Sequence, residues 1–298
     1  MSSERIAVVT ESVAVVPAPM ARELGIHVVP LSFEIDGVIY RDGVDLTPND
    51  FYARLMKAKT LPHTSQPSPG VYLEAFSQLA GRADHILVLS LSANVSGTYQ
   101  SAQQAARIFR EDLAPGGRVP EIEVVDTGLA AVPQGLVAIE AARAVRAGAP
   151  WAEVLRRAHA VAARANMLVA VDTMEYLIRG GHVPKLAGLA ATALDLKPLV
   201  QFHHGDPVPA GLARGFDHAF EVMLHRLEEE CVRVESTSGR KARLVVGVMH
   251  AGVPERGEWL LSLVRERLRP DECFLTDFTP VMGVHTGPGL AGVGYLVE

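Results

Sequence analysis

The sequence predicts a two-domain α/β protein, the first domain built on a doubly wound, mostly parallel sheet and the second on a mixed or antiparallel one. Three observations carry that prediction. Through the first half, short β-branched runs alternate with Ala/Leu/Arg-rich stretches of helical period, the pattern of strand–helix–strand units. From Met167 onward the candidate strands crowd together, and the turn His204-Gly205-Asp206 joins two of them directly, which requires antiparallel neighbours. The chain has 298 residues, 48% of them hydrophobic, a length at which single cores give way to two.

Taken in order, Ile6 to Val9, Ile26 to Leu31, Ile86 to Ser90 and Ile122 to Asp126 read as strands. Their continuous apolar character suits strands covered on both faces. Asp36-Gly37, between Phe33 to Ile35 and Val38 to Tyr40, predicts a hairpin at the sheet edge. Helix starts are marked at Thr47-Pro48-Asn49-Asp50 and at Ser68-Pro69, before Val71 to Leu79, by a capping hydroxyl followed by proline in the first turn. Two successive helices, Gln134 to Ala147 and Trp151 to Arg164, close the first half. Beyond them, strands are expected at Met167 to Val171, Pro198 to Phe202, Val208 to Leu212, Leu244 to His250, Cys273 to Thr276 and Gly292 to Val297. Helices are expected at Lys185 to Leu194, Phe216 to Arg233 and Glu255 to Leu268. Ser236-Thr237-Ser238-Gly239 reads as a flexible linker. The domains are therefore placed at 1–164 and 165–298.

The formal charge of −6 with dispersed Arg and Lys argues against a nucleic-acid binder, which carries a clustered basic face. Cys231 and Cys273 alone make neither a disulfide framework nor a zinc ribbon, and point to a reducing compartment. With no export signal and no apolar run of the roughly 18 residues a membrane span needs, the expected location is the cytoplasm. No Gly-x-x-x-x-Gly-Lys-Ser/Thr and no Gly-x-Gly-x-x-Gly occurs, so neither ATP nor NAD is expected as a cofactor.

Three polar segments stand out of the apolar background: His63 to Ser68, Ser90 to Thr98, and His285 to Gly289. They offer hydroxyls, backbone N–H groups and one imidazole, equipment for holding an anion without a full counter-charge. Ser96-Gly97-Thr98 follows a strand and opens a helical run from Tyr99 to Phe109. Its N–H groups are thereby expected at the carboxyl edge of the sheet, where ligands bind in open α/β sheets. Thr64-Ser65, expected in a loop, and Thr10-Glu11-Ser12, ending the first strand, can converge there. Serines and threonines also cap helices and stitch turns. That is the preferred role for Thr47 and Ser68, while both roles stay open for Thr64 and Ser96.

At these residues the chain resembles the DegV family. The resemblance lies in Val9-Thr10-Glu11-Ser12, Tyr40-Arg41-Asp42-Gly43-Val44-Asp45, Thr64-Ser65-Gln66-Pro67-Ser68, Ser96 to Ala102, Glu175-Tyr176-Leu177 with Gly180-Gly181, and His285-Thr286-Gly287-Pro288-Gly289. These segments follow one another along almost the whole chain. The resemblance implies a two-domain protein that binds one long-chain, palmitate-like fatty acid between its domains. Like FakB-type members, it would present the acid to a separate ATP-dependent fatty acid kinase and have no turnover of its own. It also implies carboxylate contacts from Thr64 and Ser96, closed by His285 and Thr286, with Ser65, Gly97 and Thr98 beside them. Ser12, Arg179 and His182 would lie behind the site or toward the partner.

Three positions depart from the family pattern. Glu11 stands where Asp is usual, His182 where Arg follows the glycine pair, and Pro184 where Ser is common. Loss of that Arg bears on coupling to a kinase, and Arg179 is the nearest basic substitute. Other functions fit parts of the pattern. A binding protein for another carboxylate or a phosphorylated metabolite would need a short polar pocket instead of a long apolar one. A hydrolase would use Ser96 as nucleophile, His285 as base and Asp126 or Asp172 as orienter, but Ser96 lacks the Gly-x-Ser-x-Gly elbow. His203, His204 and Asp206 are a poor metal set, since adjacent hairpin residues point apart, and no metal is expected.

Overall fold

The computed structural model describes residues 4–58, 60–112, 119–179 and 195–298. The first part of the chain runs β1 (Ile6–Glu11), α1 (Ala18–Leu24), β2 (His27–Val29), β3 (Ser32–Ile35), β4 (Val38–Arg41), α2 (Pro48–Leu55), β5 (His63–Ser65), α3 (Pro69–Ala80), β6 (His85–Ser90), α4 (Thr98–Asp112), β7 (Glu121–Asp126), α5 (Ala131–Arg146) and α6 (Trp151–Ala162). The second runs β8 (Asn166–Ala170), α7 (Glu175–Arg179), β9 (Leu196–His203), β10 (Asp206–Arg214), α8 (Gly215–Ser238), β11 (Leu244–His250), α9 (Pro254–Leu268), β12 (Glu272–Asp277), α10 (Pro280–Thr286) and β13 (Ala291–Val297). The expected helix at Lys185 to Leu194 lies outside the described residues.

A four-stranded sheet of order β2-β1-β6-β7 is parallel throughout. A six-stranded sheet of order β10-β9-β8-β13-β11-β12 is mixed, parallel only between β11 and β12. The expected α/β fold class is thus the one observed. Between the sheets runs α5, whose residues 131–142 are buried on every side and which packs against β1 and β13; a helix apolar all round belongs in a core. The larger sheet separates two apolar layers by simple alternation. Met167, Val169 and Val200 face the layer shared with α5, while Leu168, Ala170 and Val246 face the one under α8 and α9.

Three local expectations are corrected. The Asp36-Gly37 hairpin forms, with φ of 51° and 80° as a two-residue turn requires. Its strands, however, belong to a separate antiparallel sheet of order β4-β3-β5, not to the edge of the parallel one. Residues 63–65, expected as a loop, are the third strand of that sheet because Phe33 pairs with Thr64. Ser236 to Ser238 is not a linker but the last turn of α8. The Ser236 and Thr237 hydroxyls donate to the carbonyls of Val232 and Arg233 one turn back, so they no longer compete with the helix, which ends at Gly239. Of the two expected caps, Thr47 Oγ1 accepts from Asp50 N at 3.2 Å, whereas the Ser68 side chain makes no capping bond.

Candidate functional site

A cavity of about 340 Å³ opens between the parallel sheet, the small sheet and the mixed sheet, at the lower end of the ~300–1,000 Å³ usual for small-molecule sites. Most of its wall is aliphatic, from residues such as Leu31, Val95, Val169, Val200 and Met282. Its polar groups come from three segments: Thr64, Ser65 and Gln66 of β5 and its exit, Ser96 and Gly97 before α4, and His285 and Thr286 at the end of α10. Among the described residues no Asp, Glu, Lys or Arg lines it.

Each polar segment is held by identifiable contacts. The loop from β6 to α4 is anchored at its start by Glu11, whose Oε2 accepts from Leu91 N at 3.0 Å and from Gln134 Nε2 at 2.6 Å while Oε1 accepts from Tyr72 Oη at 2.7 Å. Burial pushes the Glu11 carboxyl above the usual range, against those donors. At the end of the loop, Ser96 Oγ lies 2.7 Å from Thr98 Oγ1 and accepts from Thr98 N at 3.3 Å. Gly97 lies against the Gln66 amide: a Cβ there would sit 2.5 Å from it and would displace that side chain. Gln66 in turn donates to Ser101 Oγ of α4.

α10 is carried into the site by the small sheet and α2. Its first free N–H, on Val281, donates to Asp42 Oδ1 at 3.1 Å, an acid placed where the helix dipole favours it. Burial pushes the Asp42 carboxyl up as well. Tyr52 Oη donates to Phe278 O at 2.9 Å, and Gly283 lets α10 lie against Phe51 and Tyr52, where a Cβ would approach within 2.7 Å. The result is a 2.9 Å bond between Thr64 Oγ1 and His285 Nε2, 221 residues apart in sequence. When Nε2 carries the proton, it donates to Thr64 and leaves the Thr64 hydroxyl hydrogen for an anion. The Thr286 hydroxyl donates to Met282 O at 3.2 Å, so its hydrogen is already committed.

Of the residues expected from sequence, Thr64, Ser65, Ser96, Gly97, His285 and Thr286 come together around the cavity. Thr98 and Ser12 do not line it. Thr98 is fully buried beneath Ser96, and Ser12 Oγ accepts from Leu31 N at 3.2 Å behind the wall. Arg179 is the last residue of α7; its side chain and all of His182 lie outside the described residues. Gln66 lines the cavity and Asp42 positions α10, and neither was expected in those roles, although both lie in segments that carry the resemblance. Among the described residues, His285 Nε2 is bonded to Thr64 and Ser96 to Thr98, in place of the Ser96–His285 pairing a hydrolase would use. Asp126 Oδ1 accepts from Ala93 N and Gly128 N, and Asp172 pairs with Lys197.

Comparison with known proteins places the whole chain. A family model described as "Uncharacterised protein, DegV family" matches residues 5–298. A DegV domain-containing protein of Halalkalibacterium halodurans is 33% identical over 99% of both chains. Among solved structures, a fatty-acid-binding DegV family protein from Thermus thermophilus aligns with a TM-score of 0.86 at 30% identity, covering 99% of this chain and 100% of its own. A stearic-acid-binding protein from Eubacterium ventriosum aligns with a TM-score of 0.86 at 26% identity over 98% of both. The order of segments first noted in the sequence is therefore that of a shared fold and a shared family, and the chain belongs to the DegV family.

Proposed function

We propose that this protein binds one long-chain fatty acid in the cavity, its carboxylate at Thr64, Ser96 and His285 and its tail along the aliphatic wall. In this reading the cavity lies between two domains, 1–164 and 165–298, and the protein presents the acid to a separate ATP-dependent fatty acid kinase in the cytoplasm, without turnover of its own. The observation that carries it is the composition of the wall: neutral donors in three segments, aliphatic side chains elsewhere, and no charged side chain among the described residues. Such a site suits a molecule with one small anionic end and a long apolar remainder. The Thermus and Eubacterium relatives, a fatty-acid-binding and a stearic-acid-binding protein, support the same class of ligand. Among the described residues no helix is long and apolar enough to cross a membrane.

The energetics divide unevenly between the two ends. Each hydrogen bond to a charged acceptor contributes about 1.5–3 kcal/mol, whereas each buried methylene contributes about 0.8 kcal/mol, so over a long chain the tail dominates. Neutral donors hold the head loosely enough for a kinase to reach its oxygens. Calorimetric titration with a series of acids tests the reading: affinity is expected to rise about fourfold per methylene until the cavity is full. Equal affinity for acetate and palmitate would sink it and leave the metabolite-binding alternative. Acyl phosphate is expected only when ATP, fatty acid and a kinase subunit are all present.

A further inference from the structure

We propose that Phe202 is the end wall of the acyl cavity and sets the longest chain it accepts; this rests on the fatty-acid reading above. A second cavity of about 530 Å³ lies next to the first and is lined by polar residues including Asn94, Asp126, Thr127 and Asn166. Phe202 lines both cavities. Three chain segments pass from one to the other between consecutive residues: Asn94 faces the polar cavity and Val95 the apolar one, as do Leu129 and Ala130, and Asn166 and Met167. The partition is therefore formed by neighbouring residues of these segments, and Phe202 belongs to it.

Sheet register places Met167 and Phe202 at one end of β8 and Val171 at the other. Val169 pairs with Val200 and Leu168 with Gln201, which sets Phe202 level with Met167. Val171 lies four residues further along the strand, a distance of roughly 13 Å, and bonds to Pro198 O. Val171 is the end toward α10: Gly289, in the turn that follows that helix, is packed so closely on Asp172 that a Cβ would meet its carboxylate at 2.6 Å. A tail whose carboxylate sits at His285 thus runs along Val171 and Val169 toward Met167 and Phe202.

The wall is also fixed in place. The turn following Phe202 has φ of 51° at His204 and 83° at Gly205. Its carbonyls are held from the other half of the chain, His204 O by Asn94 Nδ2 at 3.0 Å and Gly205 O by Ser92 Oγ at 2.7 Å. The β9–β10 hairpin is pinned at its tip, so the backbone that carries Phe202 is held against the other half of the chain.

Dissociation constants for dodecanoic, palmitic, stearic and docosanoic acids, measured on the full chain and on Phe202→Ala, test the proposal. In the parent protein affinity is expected to climb with length and then stop. In Phe202→Ala the climb is expected to continue, by up to about fifteenfold for two further methylenes. Phe202→Leu, which keeps an apolar side chain in the wall, is expected to shift the limit in the same direction by less and serves if the alanine variant does not fold. A limit at the same length in a folded variant overturns the end wall while leaving the fatty-acid reading intact. Absence of binding of any acid to the parent protein overturns both.

Discussion

Glu140 in the middle of α5 is a carboxylate held between distant parts of the chain, and the polar end of the cavity, where the proposed function puts the carboxylate of the ligand, uses opposite chemistry. Glu140 is buried and bonded to Arg143 at 2.9 Å, to Arg243 at 2.8 Å and to Arg157. Arg157 and Arg243 also reach Glu298. Burial alone would raise the Glu140 carboxyl, but the bonds from Arg243, Arg157 and Arg143 outweigh it and hold it at about 2. The cavity has hydroxyls, an amide and an imidazole, and no guanidinium among its described lining. A carboxylate that belongs to the chain is clamped by full charges for the life of the fold, whereas one that must enter and leave, as the proposed function requires, meets neutral donors.

The sharpest way to break the comparison is to remove the clamped acid. Glu140→Ala leaves three arginines facing one another and is expected to lose about 3 kcal/mol of stability, at the low end for a buried pair because the guanidinium groups are partly exposed. Urea denaturation measures the loss, and the surviving folded protein should bind fatty acid as before. The pH dependence follows the same sign: a carboxyl held at about 2 when folded contributes its full stabilisation above the unfolded value near 4.5 and loses it as pH falls toward 2. A parent protein that loses no more stability between pH 7 and pH 3 than Glu140→Ala does would show that the clamp contributes nothing.

Removing one neutral donor acts on the ligand instead. Ser96→Ala and Thr64→Val are each expected to weaken binding by about 1.5–3 kcal/mol, and less than additively together because they face the same two oxygens. Melting temperature and affinity read on the same sample decide the matter. A lowered melting point with unchanged affinity would reassign Ser96 to the start of α4.

Asp42→Ala lies between the two regimes. It frees the first turn of α10, which carries His285, and is expected to lower stability by about 1–2 kcal/mol and to weaken binding with it. Unchanged affinity would show that α10 is positioned by Tyr52 and Gly283 alone. The smallest effect is expected at Thr286→Val, below about 1 kcal/mol on affinity, since its hydroxyl hydrogen is directed to Met282 O. A loss as large as that of Ser96→Ala would mean that the hydroxyl turns to the ligand.

Much of this was legible before any coordinates. Strand and helix identities along β1, β6, β7, β11 and α9 follow from period and composition, because those segments are apolar where they meet the core. The segments holding Thr64, Ser96 and His285 were legible too, as polar islands in an apolar chain. Local chemistry could not assign Ser236 to Ser238 to a helix, since the same hydroxyls serve a linker or bond back one turn, and the packing of α8 decided which. Nor could it make residues 63–65 a strand, because three polar residues acquire strand character only from Phe33 beside them. The Thr64–His285 bond, the use of Asp42 as the anchor of α10 and the partition at Phe202 each join segments far apart in sequence. Spacing along a chain carries no information on such contacts. The packing of α5, buried along residues 131–142, against both β1 and β13 is what brings the two sheets together, and contacts of that kind are decided only in the folded chain.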